Sequence, residues 1–264
     1  MHRIYFCFLL VMFFVFSITN AHEINPQVAD DSGWVFINYL GMSESFNSML
    51  YMNLEGQDDI SVENVDWDGK AFTNSAYYAV KLEKWSHNKG YGLEWVHHKI
   101  YLASDVTGVD SYSISDGFNL LFFNKINPVS LFGDRSYLRL GIGLVFAHMD
   151  VTLTSRQRFY MDGGIRGSYL AGAAAQVTLD KWIKTYDKHF VALETKFTAA
   201  YSRGPVSTNF AEYSVVPNYA FHIILGVGTK PKHHGSFKDT IKTMLVPSLY
   251  MGTTGYVIRK IDDM

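Results

Sequence analysis

The sequence predicts an all-β protein: an eight-stranded antiparallel transmembrane β-barrel with short periplasmic turns, long extracellular loops and a C-terminal extension. Three observations predict it. From Gly33 onward, apolar side chains recur with period two rather than 3.6. The alternating segments run 10 to 14 residues, against about 5–6 for an ordinary soluble strand and about 9–11 for one that crosses a bilayer. The joins between them are alternately short and long, as in barrels whose long loops lie outside the cell.

Composition agrees. Charged residues make up 18% of the 264 and aromatics 16%, where soluble domains carry about 25% charge. That hydrophobicity, with 21 Gly in no fixed period, excludes a disordered or collagen-like chain. Beyond the N-terminus no stretch nears the roughly 18 consecutive apolar residues of a spanning helix. A formal charge of −2 gives no basic excess with which to neutralise phosphates, so nucleic acid is not an expected partner.

Residues 1–21, MHRIYFCFLLVMFFVFSITNA, have the layout of a Sec signal peptide: basic Arg3, an apolar run from Ile4 to Phe16, and a polar end closing on Ala21. About 13 apolar residues are few for an anchor. The only cysteine, Cys7, lies in this leader, so the exported chain has no disulfide and carries 22 basic against 25 acidic residues. Residues 22–32 read as a periplasmic lead-in.

The barrel is expected over 33–230. Its segments are 33–42, 75–86, 91–102, 114–126, 136–149, 168–180, 189–201 and 218–230. In 136–149, Leu138, Leu140, Ile142, Leu144 and Phe146 share one face, opposite Tyr137, Arg139, Gly141 and Gly143. In 75–86, Tyr78, Val80 and Leu82 oppose Lys81, Glu83 and Trp85. In 189–201, Val191, Leu193 and Phe197 oppose Glu194, Lys196 and Thr198. In 114–126 the apolar row is read as Phe118, Leu120 and Phe122, with Asn119 on the other face. HNKG, NPVSLFGDR and KWIKTYDK are the expected short turns; 43–74, at 32 residues, is the longest loop. Trp34, Trp85, Tyr91, Tyr137, Tyr169, Trp182, Tyr201 and Tyr219 fall near strand ends, where aromatic girdles belong. A soluble barrel would place the charged face outward. The glycine-rich, mixed-charge rows look instead like a packed polar lumen, since eight strands enclose only enough room for side chains. Residues 231–264 begin basic, contain Pro247, and read as a periplasmic tail with helical spacing over Phe237, Ile241, Met244 and Leu245.

No GxSxG, HExxH, Walker loop or catalytic cysteine is present in the body of the chain. One constellation carries chemistry. If Leu93 and Trp95 face lipid, alternation puts His97, Lys99 and Tyr101 above them on the same face, toward the outer leaflet. The row of 136–149 ends in His148 at similar height, and the intervening strand carries Asp116 there. A polar cluster on the lipid side is costly unless it meets headgroups or substrate. His97 and His148 suit acid/base work or metal ligation, Asp116 the orientation of a histidine, Lys99 a phosphate, and Tyr101 a sugar. Trp67 and Asp68, in the first long loop, are placed to cap this surface. The same residue types also suit ordinary headgroup contact, and the metal, if any, is unspecified.

Val65-Asp66-Trp67-Asp68-Gly69-Lys70-Ala71-Phe72, Ala76-Tyr77-Tyr78, Gly92-Leu93-Glu94-Trp95-Val96-His97-His98-Lys99-Ile100-Tyr101, Asp116-Gly117-Phe118-Asn119-Leu120 and Gly141-Ile142-Gly143 with His148 together resemble the lipid A oxidase-like outer-membrane barrels. The resemblance covers about residues 34–180. Ser75-Ala76 stands where that family tends to have proline, and the tail is extra. It implies residence in a Gram-negative outer membrane, lipopolysaccharide as partner, and oxidation of the proximal glucosamine of lipid A to an aminogluconate. Molecular oxygen would be the acceptor, and a divalent metal is compatible. A monomer is expected. The other reading is a non-catalytic surface barrel, an adhesin, immune-evasion factor or envelope stabiliser acting through its loops. A small-solute channel is a third reading, which a side-chain-filled lumen disfavours.

Overall fold

The computed structural model describes residues 33–70, 76–86, 89–131, 134–161, 168–186 and 189–229. The leader, the lead-in and the tail expected at 231–264 lie outside them. The described residues form thirteen strands in one sheet. They are β1 (Gly33–Ser45), β2 (Ser48–Asn53), β3 (Ile60–Val65), β4 (Trp67–Asp68), β5 (Tyr78–Ser86), β6 (Lys89–Leu102) and β7 (Val109–Leu131), then β8 (Asp134–Ala147), β9 (Asp150–Leu153), β10 (Phe159–Tyr160), β11 (Tyr169–Tyr186), β12 (His189–Pro205) and β13 (Tyr213–Thr229).

Eight of them close a ring. β1 pairs with β5, and pairing then passes antiparallel through β6, β7, β8, β11, β12 and β13, which returns to β1 through Phe36↔Thr229 to Ser45↔Ala220. Closure removes the edges that an open sheet would leave unpaired. At one end the hairpins are tight: Ser86↔Lys89, Leu131↔Asp134 and Tyr186↔His189 are separated by two residues each. Most of NPVSLFGDR and KWIKTYDK is therefore strand, not turn. Pro128 fits because β6–β7 pairing ends at Gly90↔Ile126, so Pro128 faces only β8 and no second ladder needs its missing N–H. At the other end, much of the long loops is also strand. β2 pairs with β13 and β3, β4 with β6, and β9 with β7 and β10, extending the wall outward.

The two faces have opposite chemistry. Ile142 is 73% exposed and Leu170 63%, while Lys81, Glu94, Arg139 and Glu194 are fully buried. In water each exposed side chain of that size forgoes about 1.5–3 kcal/mol of burial; among acyl chains it forgoes nothing. The lumen is a core of paired charges. Lys81 pairs with Glu194, and Lys196 with Glu94. Glu94 also accepts from Asn124 at 2.9 Å and Gln176 at 2.6 Å. Arg139 bridges Glu83 at 2.8 Å and Asp180 at 2.9 Å. Gly141 makes room: a Cβ there would lie 2.1 Å from Asn124 Oδ1.

Two expectations need correction. Trp85 and Tyr137 are buried, not in a girdle. With Trp182 and Phe190 they form an aromatic floor at the tight-turn end, ring centres 4.0–5.8 Å apart, and the Trp85 and Trp182 N–H groups donate to Glu83 and Asp180. Tyr91, Tyr201 and Tyr219 do face outward. On β7 the rows are exchanged. Phe118, Leu120 and Phe122 are fully buried in the lumen, whereas Phe123 is 51% exposed. The stretch 118–123 is apolar on both faces, so alternation alone cannot orient it; inward Asn124, bonded to Glu94, does.

Candidate functional site

The corrected register of β7 puts Asn119 on the outer wall. There it pairs with His97 of β6, which pairs in turn with Tyr78 of β5. The three side chains meet: the Tyr78 ring stacks on the His97 ring at 4.9 Å and 16°, and His97 Nδ1 lies 2.8 Å from Asn119 Oδ1. With the amide oxygen accepting, Nδ1 carries the proton and the lone pair is on Nε2.

A backbone irregularity builds the site. Pairing of β6 with β7 jumps from His98↔Phe118 to Ile100↔Ile114, so Ser115, Asp116 and Gly117 bulge opposite Lys99 alone. Gly117 has φ +136°, in the region that only glycine adopts easily, and a Cβ there would lie 1.9 Å from Asn119 Nδ2. The missing side chain lets Asn119 lie across the backbone toward His97.

On the next strand His148 follows the outward residue Phe146, itself opposite Asn119. Neither His148 ring nitrogen has a hydrogen-bond partner, and its ring lies 4.2 Å from that of Tyr160 on β10. The Arg158 guanidinium sits 5.6 Å over Tyr160 and pairs with Asp150. Beyond Lys99, Tyr101 pairs with Asp68, and the Lys70 and Lys99 ammonium groups lie 4.2 and 5.9 Å from its ring centre. Asp68 Oδ1 accepts from the Lys70 backbone N–H at 2.9 Å.

The backbones of His97 and Lys99 on β6, of Asp116 in the β7 bulge and of His148 just past the end of β8 thus lie along three adjacent strands; His97 contacts Asn119 and Tyr78, and His148 contacts Tyr160. Trp67 does not join them. It is buried inside the extracellular extension, donating to Ser48 Oγ at 2.8 Å and packing edge-on to Tyr112 at 5.9 Å, so it supports the wall instead of capping it. His97, Asn119 and His148 are at most 6% exposed, whereas Leu93 and Phe123, lower on the same outward rows, are 52% and 51% exposed. The cluster is therefore enclosed, unlike a headgroup-level side chain lying open. Nothing in the sequence pattern alone gives Asn119, Tyr78 and Gly117 a role; the Asp116-Gly117-Phe118-Asn119 string is the signal nearest to one. Among the described residues no three His, Cys, Asp or Glu gather as metal ligands.

An apolar outer wall around an ionic lumen, crossed only by strands, satisfies every ladder without an edge in lipid. The chain is a transmembrane β-barrel of the outer-membrane kind. No family model and no curated protein matches it. Similar solved structures include outer membrane protein AlkL in lipid bilayers, 14% identical over 83% of this chain and 99% of that one, with a TM-score of 0.43. Outer membrane protein OprG from Pseudomonas aeruginosa is 14% identical over 76% and 97%, TM-score 0.39. Neisserial surface protein A is 9% identical over 76% and 100%, TM-score 0.37.

Proposed function

We propose that this barrel binds the headgroup region of lipid A at the outward cluster and oxidises its proximal glucosamine. One observation carries the reading: a histidine oriented by an asparagine is enclosed on the wall that faces lipid, with a second histidine just past the end of β8, two strands away. Polar groups there are expensive unless a polar lipid headgroup is their partner. Lys70 and the buried Lys99, both near Tyr101, supply cations for phosphate, and Tyr101 supplies a face for sugar.

The reaction balances with dioxygen as oxidant. His97 Nε2 takes the proton of the C1 hydroxyl as the C1–H bond breaks. That hydrogen and its two electrons pass to dioxygen, which leaves with the proton as hydrogen peroxide. The resulting lactone opens with water to the aminogluconate. In this reading His148 hands on the proton and Asp116 is assigned the orientation of a histidine.

Mass spectrometry of lipid A from aerobic cells with and without the protein tests this. The expected result is a gain of one oxygen atom in the species with a free C1 hydroxyl, absent in the deletion and in His97→Ala. An identical lipid A profile in all three overturns it. A second reading, a non-catalytic surface barrel, is favoured by Phe210, 68% exposed at the extracellular end. Under it, replacing loop 43–74 abolishes adhesion to host cells while His97→Ala leaves adhesion intact.

A further inference from the structure

Asp150, Arg158 and Tyr160 stand on the outer wall beyond His148 and take no part in the proposed proton transfer. Tyr160 pairs with Asp150, which alternates with buried Val151, so both side chains face outward. The Asp150 carboxylate accepts from Arg158 Nε at 2.7 Å and from Nη2, and the guanidinium lies 5.6 Å from the Tyr160 ring centre. On its other side Tyr160 meets the His148 ring at 4.2 Å and 52°. His148 is 3% exposed with neither ring nitrogen hydrogen-bonded, whereas Tyr160 is 44% exposed and the Arg158 side chain 62%. An open aromatic ring, a paired cation and anion, and an unpartnered histidine therefore meet at one place.

That combination has the chemistry of a sugar site. The ion pair carries no net charge, so it does not call for a free anion. It presents an acceptor and a donor side by side, which is what neighbouring hydroxyls need, each being donor and acceptor at once. The ring beside it offers an apolar face to the C–H side of a pyranose. Two bare nitrogens on a buried ring are costly in a wall that faces lipid, and a hydroxyl is a partner for either. We propose that this group is the subsite for the distal sugar of the lipid A headgroup, so that the barrel takes a two-sugar glycolipid in preference to a one-sugar one. The inference rests on the lipid A reading, which puts the proximal sugar at His97. The spacing supports it. His97 and the end of β8 lie on either side of β7, two strand spacings or about 10 Å apart. One pyranose held at His97 does not cover that distance, and a second one linked to it does. Below the span the Trp95 and Phe146 rings, 5.9 Å apart, close the wall toward the acyl chains.

The test measures binding and turnover separately on the full barrel refolded in detergent, its folding checked by its unboiled mobility on a gel. Two probes are compared: lipid A with a free C1 hydroxyl, and a diacylated glucosamine with the same free hydroxyl. Wild type should bind the two-sugar probe at least about 10-fold more tightly. Tyr160→Ala and Arg158→Ala should each erase most of that preference, the loss falling on Kd and KM for the two-sugar probe and not on kcat. Tyr160→Phe keeps the ring and should keep the preference; a merely structural role for Tyr160 would move both probes alike. Arg158 lies open at the surface, so its variant decides the matter if Tyr160→Ala does not fold. Equal affinity of wild type for the two probes overturns the subsite. So does a preference that survives in folded Arg158→Ala and Tyr160→Ala, or displacement of bound lipid A by phosphatidylethanolamine as readily as by lipid A itself. A preference that is lost in the variants while wild type forms no oxidised product keeps the subsite and sinks the oxidase reading alone.

Discussion

The ionic lumen and the outer rim use the same residue types to opposite ends. In the lumen Arg139 holds Glu83 and Asp180, and Lys196 holds Glu94 and contacts Glu194 at 3.3 Å. At the rim, a short hydrogen bond fixes the His97 ring and directs its lone pair outward, and His148 has neither nitrogen engaged. Charges that neutralise one another inside a dry tube can only hold it shut. A titratable ring oriented by a neutral amide can still do chemistry. The contrast separates the barrel's structure from its proposed activity, and it can be broken at either end.

The largest effect is expected inside. Arg139→Met removes the partner of two buried carboxylates, and breaking a buried pair from one side costs about 3–5 kcal/mol. Urea unfolding in detergent micelles should show a loss of that size, and the barrel should lose its distinct unboiled mobility. At the rim the order of effects reverses. His97→Ala should unfold within about 1–2 kcal/mol of wild type, the cost of leaving Asn119 without its partner, yet yield the lipid A of a deletion strain. If Arg139→Met leaves stability unchanged, the lumen is not the structural element. If His97→Ala retains full lipid A oxidation, the rim is not the site.

The sequence was legible where two faces differ in chemistry. On β8 the Leu138–Phe146 row against Arg139 and Gly141 admits one orientation, and the exposures follow it. On β7 the stretch FNLLFF gives two apolar faces, so the row could be read either way. The reading that puts Phe118 outward turns Asn119 into the lumen, away from His97. Trp85 and Tyr137 fall at girdle positions along their strands, but they share parity with inward Glu83 and Arg139, which is the stronger signal. The meetings of His98 with His222, and of His148 with Tyr160, depend on ring closure and on how β10 folds back, which no local pattern carries. Alternation assigns His97, Lys99 and His148 to the rim; it does not reach Trp67, because the first long loop is itself built into the wall.

Gly117 reaches the rim through the backbone. Gly117→Ala forces an L side chain into φ +136° and into the Asn119 amide. It should cost about 1–3 kcal/mol and abolish lipid A modification. In Gly117→Ala/Asn119→Ala the collision is gone and only backbone strain of about 1 kcal/mol remains, while modification stays lost. Recovery of stability without recovery of activity, read from urea midpoints and lipid A mass spectra, would separate the bulge's two roles. Strictly additive stability losses would mean that Asn119 does not occupy the space above Gly117.

The smallest effect lies outside the membrane, where Arg156 and Glu212 tie parts of the extracellular extension together. Arg156 Nη1 donates to both Glu212 oxygens at 2.7 and 2.6 Å, and Glu212 Oε1 also accepts from the Glu55 backbone N–H at 2.9 Å. The hydrogen bonds from Arg156, above all, pull the Glu212 carboxyl from its ordinary 4.5 down to about 2. A carboxyl depressed on folding contributes stability that is fully present above its unfolded value and is lost as pH falls from about 4.5 to about 2. Because Arg156 is partly open to water, the effect is screened and local. Pepsin cleavage of the loops joining β9 to β10 and β12 to β13 should therefore accelerate below pH 4.5 in the intact barrel while the ring stays resistant. In Arg156→Gln those loops should be cut at the faster rate already at pH 4.5, with a flatter dependence below it. An unchanged profile in Arg156→Gln would show that the extension is held by its strand pairing alone.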